Sequence, residues 1–191
     1  MQLTQKIQQS DSHSDTFEIL GTDYIEFYVG NAKQAAHFYQ SAFGFKLIAY
    51  KGPETGNRDF CSYVLQQDKI RFVFTSSFKP DHEISKHVVR HGDGVKVLAL
   101  WVNDVQDSFQ KAIQRGAEVA FEPYTEQDRN GRVTIAGIKT YGETVHALIE
   151  RKEYQGAFLP GYEARTSAFK PEGTGLKYVD HCVGNVELGQ M

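Results

Sequence analysis

The sequence predicts an α+β fold of two paired βαβββ modules, with curved mixed sheets and the helices outside them. Three observations carry this. A strand, a helix and three further strands follow one another twice along the chain. The helix of each unit stops at a glycine, Gly44 in the first and Gly116 in the second. The units start about 70 residues apart, an internal repeat of whole supersecondary units. Neither unit covers its own sheet, so the two are expected to pair around a shared core.

The elements follow in order. Residues 22–29 are β-branched and aromatic and read as a strand. From Ala32 to Phe43 the apolar positions Ala35, Ala36, Phe38, Tyr39, Ala42 and Phe43 recur at helical spacing. Strands are expected at 45–50, 59–66 and 70–75, the last two joined by a tight turn at Gln67-Asp68-Lys69. A connecting stretch at 80–91 carries a helix. The second unit repeats the pattern with a strand at 95–102 and a helix at 104–115. That helix has Val105, Phe109, Ala112 and Ile113 on one face. Strands at 118–124, 132–138 and 144–150 complete it, and Asn130-Gly131 is a strong turn signal.

A third echo lies near the end. Tyr178-Val179-Asp180-His181-Cys182-Val183-Gly184-Asn185 aligns without a gap on Tyr24-Ile25-Glu26-Phe27-Tyr28-Val29-Gly30-Asn31. The expected organisation is a disordered polar tail at 1–16 and a domain at 17–153, with modules at about 17–78 and 94–153. A Pro- and Gly-containing linker at 154–176 and the first strand of a further, truncated domain at 177–191 complete it.

Composition narrows the function. Lys+Arg number 21 and Asp+Glu 24, a net charge of −3 in 191 residues. That gives no basic footprint for nucleic acid, and no Lys/Arg run suits an anionic membrane. No apolar run reaches the length of a membrane span, and the polar N-terminus lacks a secretory apolar region. Cys61 and Cys182 are the only cysteines and frame no disulfide scaffold; a reduced, cytoplasmic setting is expected.

Candidate chemistry is sparse. Phe27 of the first repeat becomes His181 in the third, an imidazole where the other copy is apolar. His181 is therefore a candidate metal ligand, set against a core or strand-end histidine with its ring hydrogen-bonded. His87 and His91, at i and i+4, would share a helix face. No carboxylate or cysteine completes a set with them at ligand spacing, so no metal is expected there. His37, His82 and His146 carry no motif. Cys182 reads as a small buried apolar residue. Tyr24, Phe27, Tyr28, Phe38 and Phe43 read as core. No Gly-x-Ser-x-Gly or phosphate-binding loop occurs.

Four segments carry a family resemblance: residues 21–31 with the helix end Phe38-Tyr39 to Gly44-Phe45, then His91-Gly92-Asp93-Gly94-Val95-Lys96, then Phe158-Leu159-Pro160-Gly161-Tyr162, and finally Val179-Asp180-His181-Cys182-Val183-Gly184-Asn185. In these the chain resembles the N-terminal half of the 4-hydroxyphenylpyruvate dioxygenase family, within the vicinal oxygen chelate (glyoxalase-like) superfamily. The resemblance implies a non-haem Fe(II) enzyme that converts 4-hydroxyphenylpyruvate and O2 to homogentisate and CO2 in tyrosine catabolism. It implies that the full-length protein is a homo-oligomer with no nucleic-acid or membrane partner. His181 matches the first histidine of a two-His, one-carboxylate triad, and Val183 matches a position lining the substrate pocket. The second His and the Glu belong to the family's C-terminal domain, so the isolated chain is expected to be inactive. Two alternatives stand beside this: a hydroxymandelate synthase of the same fold, and a metal-free module binding a small ligand. An isomerase or thiol transferase assembles ligands from both modules, and Phe27 and the histidine-free strand at 95–100 argue against it.

Overall fold

The computed structural model describes residues 17–186 together with Leu188 and Gly189. The expected tail at 1–16 lies outside the described residues. The elements are β1 (Ile19–Tyr28), α1 (Ala32–Phe43), β2 (Lys46–Lys51), β3 (Phe60–Gln67) and β4 (Ile70–Ser77) in the first module. Helix α2 (Glu83–His91) connects to β5 (Gly94–Val102), α3 (Val105–Gln114), β6 (Val119–Asp128), β7 (Gly131–Lys139) and β8 (Val145–Glu150). A short strand β9 (Glu163–Ala164) follows. None of the described helices is long and apolar enough to cross a membrane.

All nine strands form one mixed sheet in the order β6-β7-β8-β5-β1-β4-β3-β2-β9. Within each module the first strand runs parallel to the last, β1 with β4 and β5 with β8. The modules meet where β1 and β5 pair antiparallel, so one module repeats the other about a pseudo-twofold between those strands. The repeat extends to helix starts. Asn31 and Asp104 each cap their helix, accepting from the backbone N–H of Gln34 (3.0 Å) and Asp107 (2.9 Å). At the other end of α1, Gly44 takes a left-handed conformation (φ 73°), and a Cβ there would collide with the carbonyl of Glu172.

The two sheet faces are packed differently. On the helix side, α1 covers a cluster around Phe45, Leu65 and Phe74, and α3 covers one around Val102, Phe109 and Leu148. The opposite face is a single cluster shared by both modules. Tyr24, Val64, Val73, Ala99, Ile135 and Ile149 contribute to it, as do Tyr154, Phe158 and Leu159. The start of the stretch expected to be a linker is therefore a strap that seals the sheet. Gly131 bridges Tyr154, and Arg165 N–H donates to Ile48 O (3.0 Å) as β9 extends the sheet edge. Its prolines and glycines suggest a linker, while its aromatic residues supply apolar area that the open face needs.

Other differences from expectation have plain causes. β6 runs on to Asp128 through Pro123, which an edge strand tolerates. Phe38 and Phe43 are exposed, because Ala32, Ala36 and Gln40 form the buried stripe of α1. Residues 178–185 form no strand; they pair with neither edge of the sheet and stay without a ladder. They are nonetheless approached by the fold: Lys69 N–H donates to Lys177 O (3.0 Å), and Val179 packs beside the cluster under α1. Cys182 is exposed, because the segment carrying it lies on the surface without a ladder.

One ionic cluster ties these parts together. Asp23, 2% exposed, sits at a register irregularity of β1, where the bulge aims its side chain at two arginines. Arg151 donates Nε to Oδ2 (2.6 Å) and Nη2 to Oδ1 (2.5 Å), and Arg71 donates Nη1 to Oδ1 (3.1 Å). Arg151 also donates to the Phe158 carbonyl, and both guanidinium groups lie within 6 Å of the Phe158 ring centre, at 5.7 and 5.9 Å. Removing the anion leaves two guanidinium groups uncompensated. Asp23→Asn is expected to lower stability by about 3–5 kcal/mol in urea unfolding; a midpoint unchanged from the parent contradicts this role.

Candidate functional site

The two modules share the sheet face opposite α1 and α3. Here that face is largely filled by the strap. Phe158 packs edge-on against Tyr24 (5.1 Å) and Tyr162 (4.9 Å). Beside the strap lies a small polar chain. Glu26 Oε1 accepts from Thr75 Oγ1 (2.5 Å), and Thr75 Oγ1 is 2.6 Å from Ser62 Oγ. The alternation of β1 puts Tyr24, Glu26 and Tyr28 on this face. Phe27 lies on the other side, stacked on Phe74 (5.2 Å) and edge-on to Phe72 (5.3 Å). Burial pushes the Glu26 carboxyl up from about 4.5 to about 7, with the Thr75 hydrogen bond opposing.

The two residues proposed from the sequence lie apart from this face. His181 is exposed, with Nδ1 2.7 Å from Asp180 Oδ2. Both side chains of this contact are largely exposed to solvent. Val183 is exposed as well. Neither joins a second imidazole: among the described residues, the group of three such side chains within ligand distance lies elsewhere.

That group is His87, His91 and Glu143, whose ligand atoms all lie within 4.8 Å of one another. Helix α2 carries the two imidazoles on one face, with ring centres 4.6 Å apart. Glu143 arrives from the turn between β7 and β8. Sequence spacing missed it because it is a distant partner. The signal lay in the register: β5 pairs β8 in parallel with Val97 opposite Val145, which sets the residues before β8 beside those that follow α2. His82 caps α2 through Nδ1, accepting from Ile84 N–H (3.2 Å). His37 is exposed on α1, and His146 is half-buried in β8.

With this geometry in hand, comparison with known proteins defines the class. Residues 21–144 match the model of the Glyoxalase/Bleomycin resistance protein/Dioxygenase superfamily, and the chain belongs to that superfamily. Within it, the chain is similar to proteins named 4-hydroxyphenylpyruvate dioxygenase. The one from Aspergillus fumigatus is 44% identical over 190 residues, covering 90% of this chain and 47% of that protein. The one from Xenopus tropicalis is 47% identical over 181 residues, covering 90% and 45%. Among solved structures, a 4-hydroxymandelate synthase mutant from Streptomyces coelicolor matches with a TM-score of 0.68 and 28% identity, over 84% of this chain and 44% of that one. The chain thus spans about half the length of the curated relatives it matches.

The raised Glu26 value has a consequence for stability. Between about pH 4.5 and 7 the folded state holds a proton that the unfolded state has released, so stability falls as pH rises through that window. Glu26→Gln is expected to flatten this dependence and to gain about 1–3 kcal/mol over the parent at pH 8, with little gain at pH 4. Denaturant midpoints across pH read it out, and equal pH slopes for the two proteins contradict it.

Proposed function

We propose that this chain forms the first half of a non-haem Fe(II) dioxygenase acting on 4-hydroxyphenylpyruvate and O2 to give homogentisate and CO2. The observation that carries the reading is 44–47% identity to dioxygenases of that name across 90% of the chain. In this reading the paired modules at 17–153 are a scaffold, since Phe158 and its strap occupy the face that the modules share. His181 contributes one iron ligand through Nε2, with Asp180 holding the other ring nitrogen. Val183 lines the aromatic substrate's pocket. Iron, when bound to two imidazoles and one carboxylate, leaves coordination positions open for an α-keto acid and oxygen. One imidazole alone holds no iron usefully, so the remaining His and Glu come from the second half of the enzyme.

The hydroxymandelate synthase alternative rests on a lower identity, 28%, and no residue of this chain favours it. A cytoplasmic enzyme that works as a homo-oligomer fits the same reading.

A chimera tests it. Residues 1–191 are fused to the second half of the Aspergillus fumigatus relative, and oxygen uptake is followed with Fe(II) and 4-hydroxyphenylpyruvate. The fusion is expected to turn over, His181→Ala to lose activity by at least about a hundredfold, and the 191-residue chain alone to show none. A folded fusion that is inactive, or one that keeps its rate without His181, overturns the proposal.

A further inference from the structure

We propose that His87, His91 and Glu143 form a binding site for a borderline-soft divalent cation of the Zn(II) class, separate from the site that would use His181. His87 Nδ1 lies 3.6 Å from Glu143 Oε2, and His91 Nε2 lies 3.2 Å from the same oxygen. Two donors of a tetrahedral zinc ion at ordinary bond lengths stand about 3.3–3.5 Å apart. The two His–Glu spacings are therefore near those of metal-bound ligands, and all three ligand atoms lie within 4.8 Å of one another.

Three further observations point to a ligand. His87 is 9% exposed, and its Nδ1 is buried without a hydrogen-bond partner among the described residues. A buried ring nitrogen left unpaired is costly, and a metal would satisfy it. Burial, followed by the nearby Lys96 and His91, disfavours the charged form of the His87 ring. The third observation is that the carboxylate is already oriented. Arg90 binds its other oxygen, Oε1, and Lys96 Nζ donates to the Glu143 main-chain carbonyl (2.5 Å), which leaves Oε2 turned to the imidazoles. Such outer partners are what fix ligand geometry in metal sites.

The same cations decide which ion fits. Lys86, Arg90 and Lys96 line a cleft of about 410 Å³ with Glu83, His87 and Glu143. Their charge disfavours a hard ion held by electrostatics, such as Mg²⁺, which also wants oxygen ligands. Two neutral imidazoles and one carboxylate favour zinc or a neighbouring transition ion. The cleft leaves the fourth position to water. Bound there, the ion would pin the β7–β8 turn to the end of α2.

The experiment is calorimetric titration of the 191-residue chain with ZnCl2, in a His181→Ala, Cys182→Ser background that removes the exposed imidazole and thiol at 181–182. One ion per chain is expected, with affinity lowered at least about tenfold by His91→Ala and by Glu143→Gln. Both substitutions fall on exposed side chains, so folding is preserved and His87, which is buried, can stay. Zinc should also raise the melting temperature of the background protein and not of its Glu143→Gln variant. No binding, or binding that both substitutions leave unchanged, overturns the site.

Discussion

The structure depends on a buried carboxylate shared by parts of the chain that are far apart in sequence. Asp23 on β1 holds Arg71 from β4 and Arg151 from just after β8. Arg151 in turn reaches the backbone of Phe158. The first module, the end of the second and the strap therefore meet at one anion. Two guanidinium groups and one carboxylate are stable in such a place only when their hydrogen bonds are nearly complete. The bulge in β1 aims the carboxylate at both arginines and the Phe158 carbonyl accepts from Arg151, while Arg71 Nε alone is left without a partner among the described residues. The antiparallel β1–β5 pair could join two modules by itself; the cluster fixes how the sheet face is closed.

That closure shapes the functional division. A sheet of paired modules offers a common face, and here its centre is taken by Tyr24, Phe158 and Tyr162. Glu26 remains beside it, tied to Thr75 and Ser62 and poorly solvated. The face is built for packing, and the position that matches His181 holds Phe27, which serves the aromatic cluster under α1. Residues with ligand chemistry lie outside it, at the end of α2 and in the exposed stretch around His181.

Much of the fold was legible in the sequence because its signals are local. The period of α1, its stop at Gly44 and the Asn130-Gly131 turn each depend on neighbouring residues, and the repeat doubled the signal. The helix face of α1 was less legible. Phe38 and Phe43 satisfy helical spacing, yet the buried stripe follows Ala32, Ala36 and Gln40, since α1 sits close on the sheet and small residues fit there. The strap was misread because Pro160 and Gly161 are turn residues, while the value of Phe158 lies in a partner about 130 positions away. Glu143 escaped for the same reason: its neighbours are set by the parallel β5–β8 register. His181 and Val183 are named by the repeat and the family resemblance, which point to residues without placing them.

The central claim is that the strap at 154–164 belongs to the folded core. Native-state hydrogen exchange tests it most directly. The amides of Gln155, Tyr162 and Arg165, which donate to Asn130, Leu159 and Ile48, should exchange with protection approaching that of the β1–β5 pair. Exchange of these three at the rate of free peptide, with β1 and β5 still protected, would make the strap a passing linker and contradict the account.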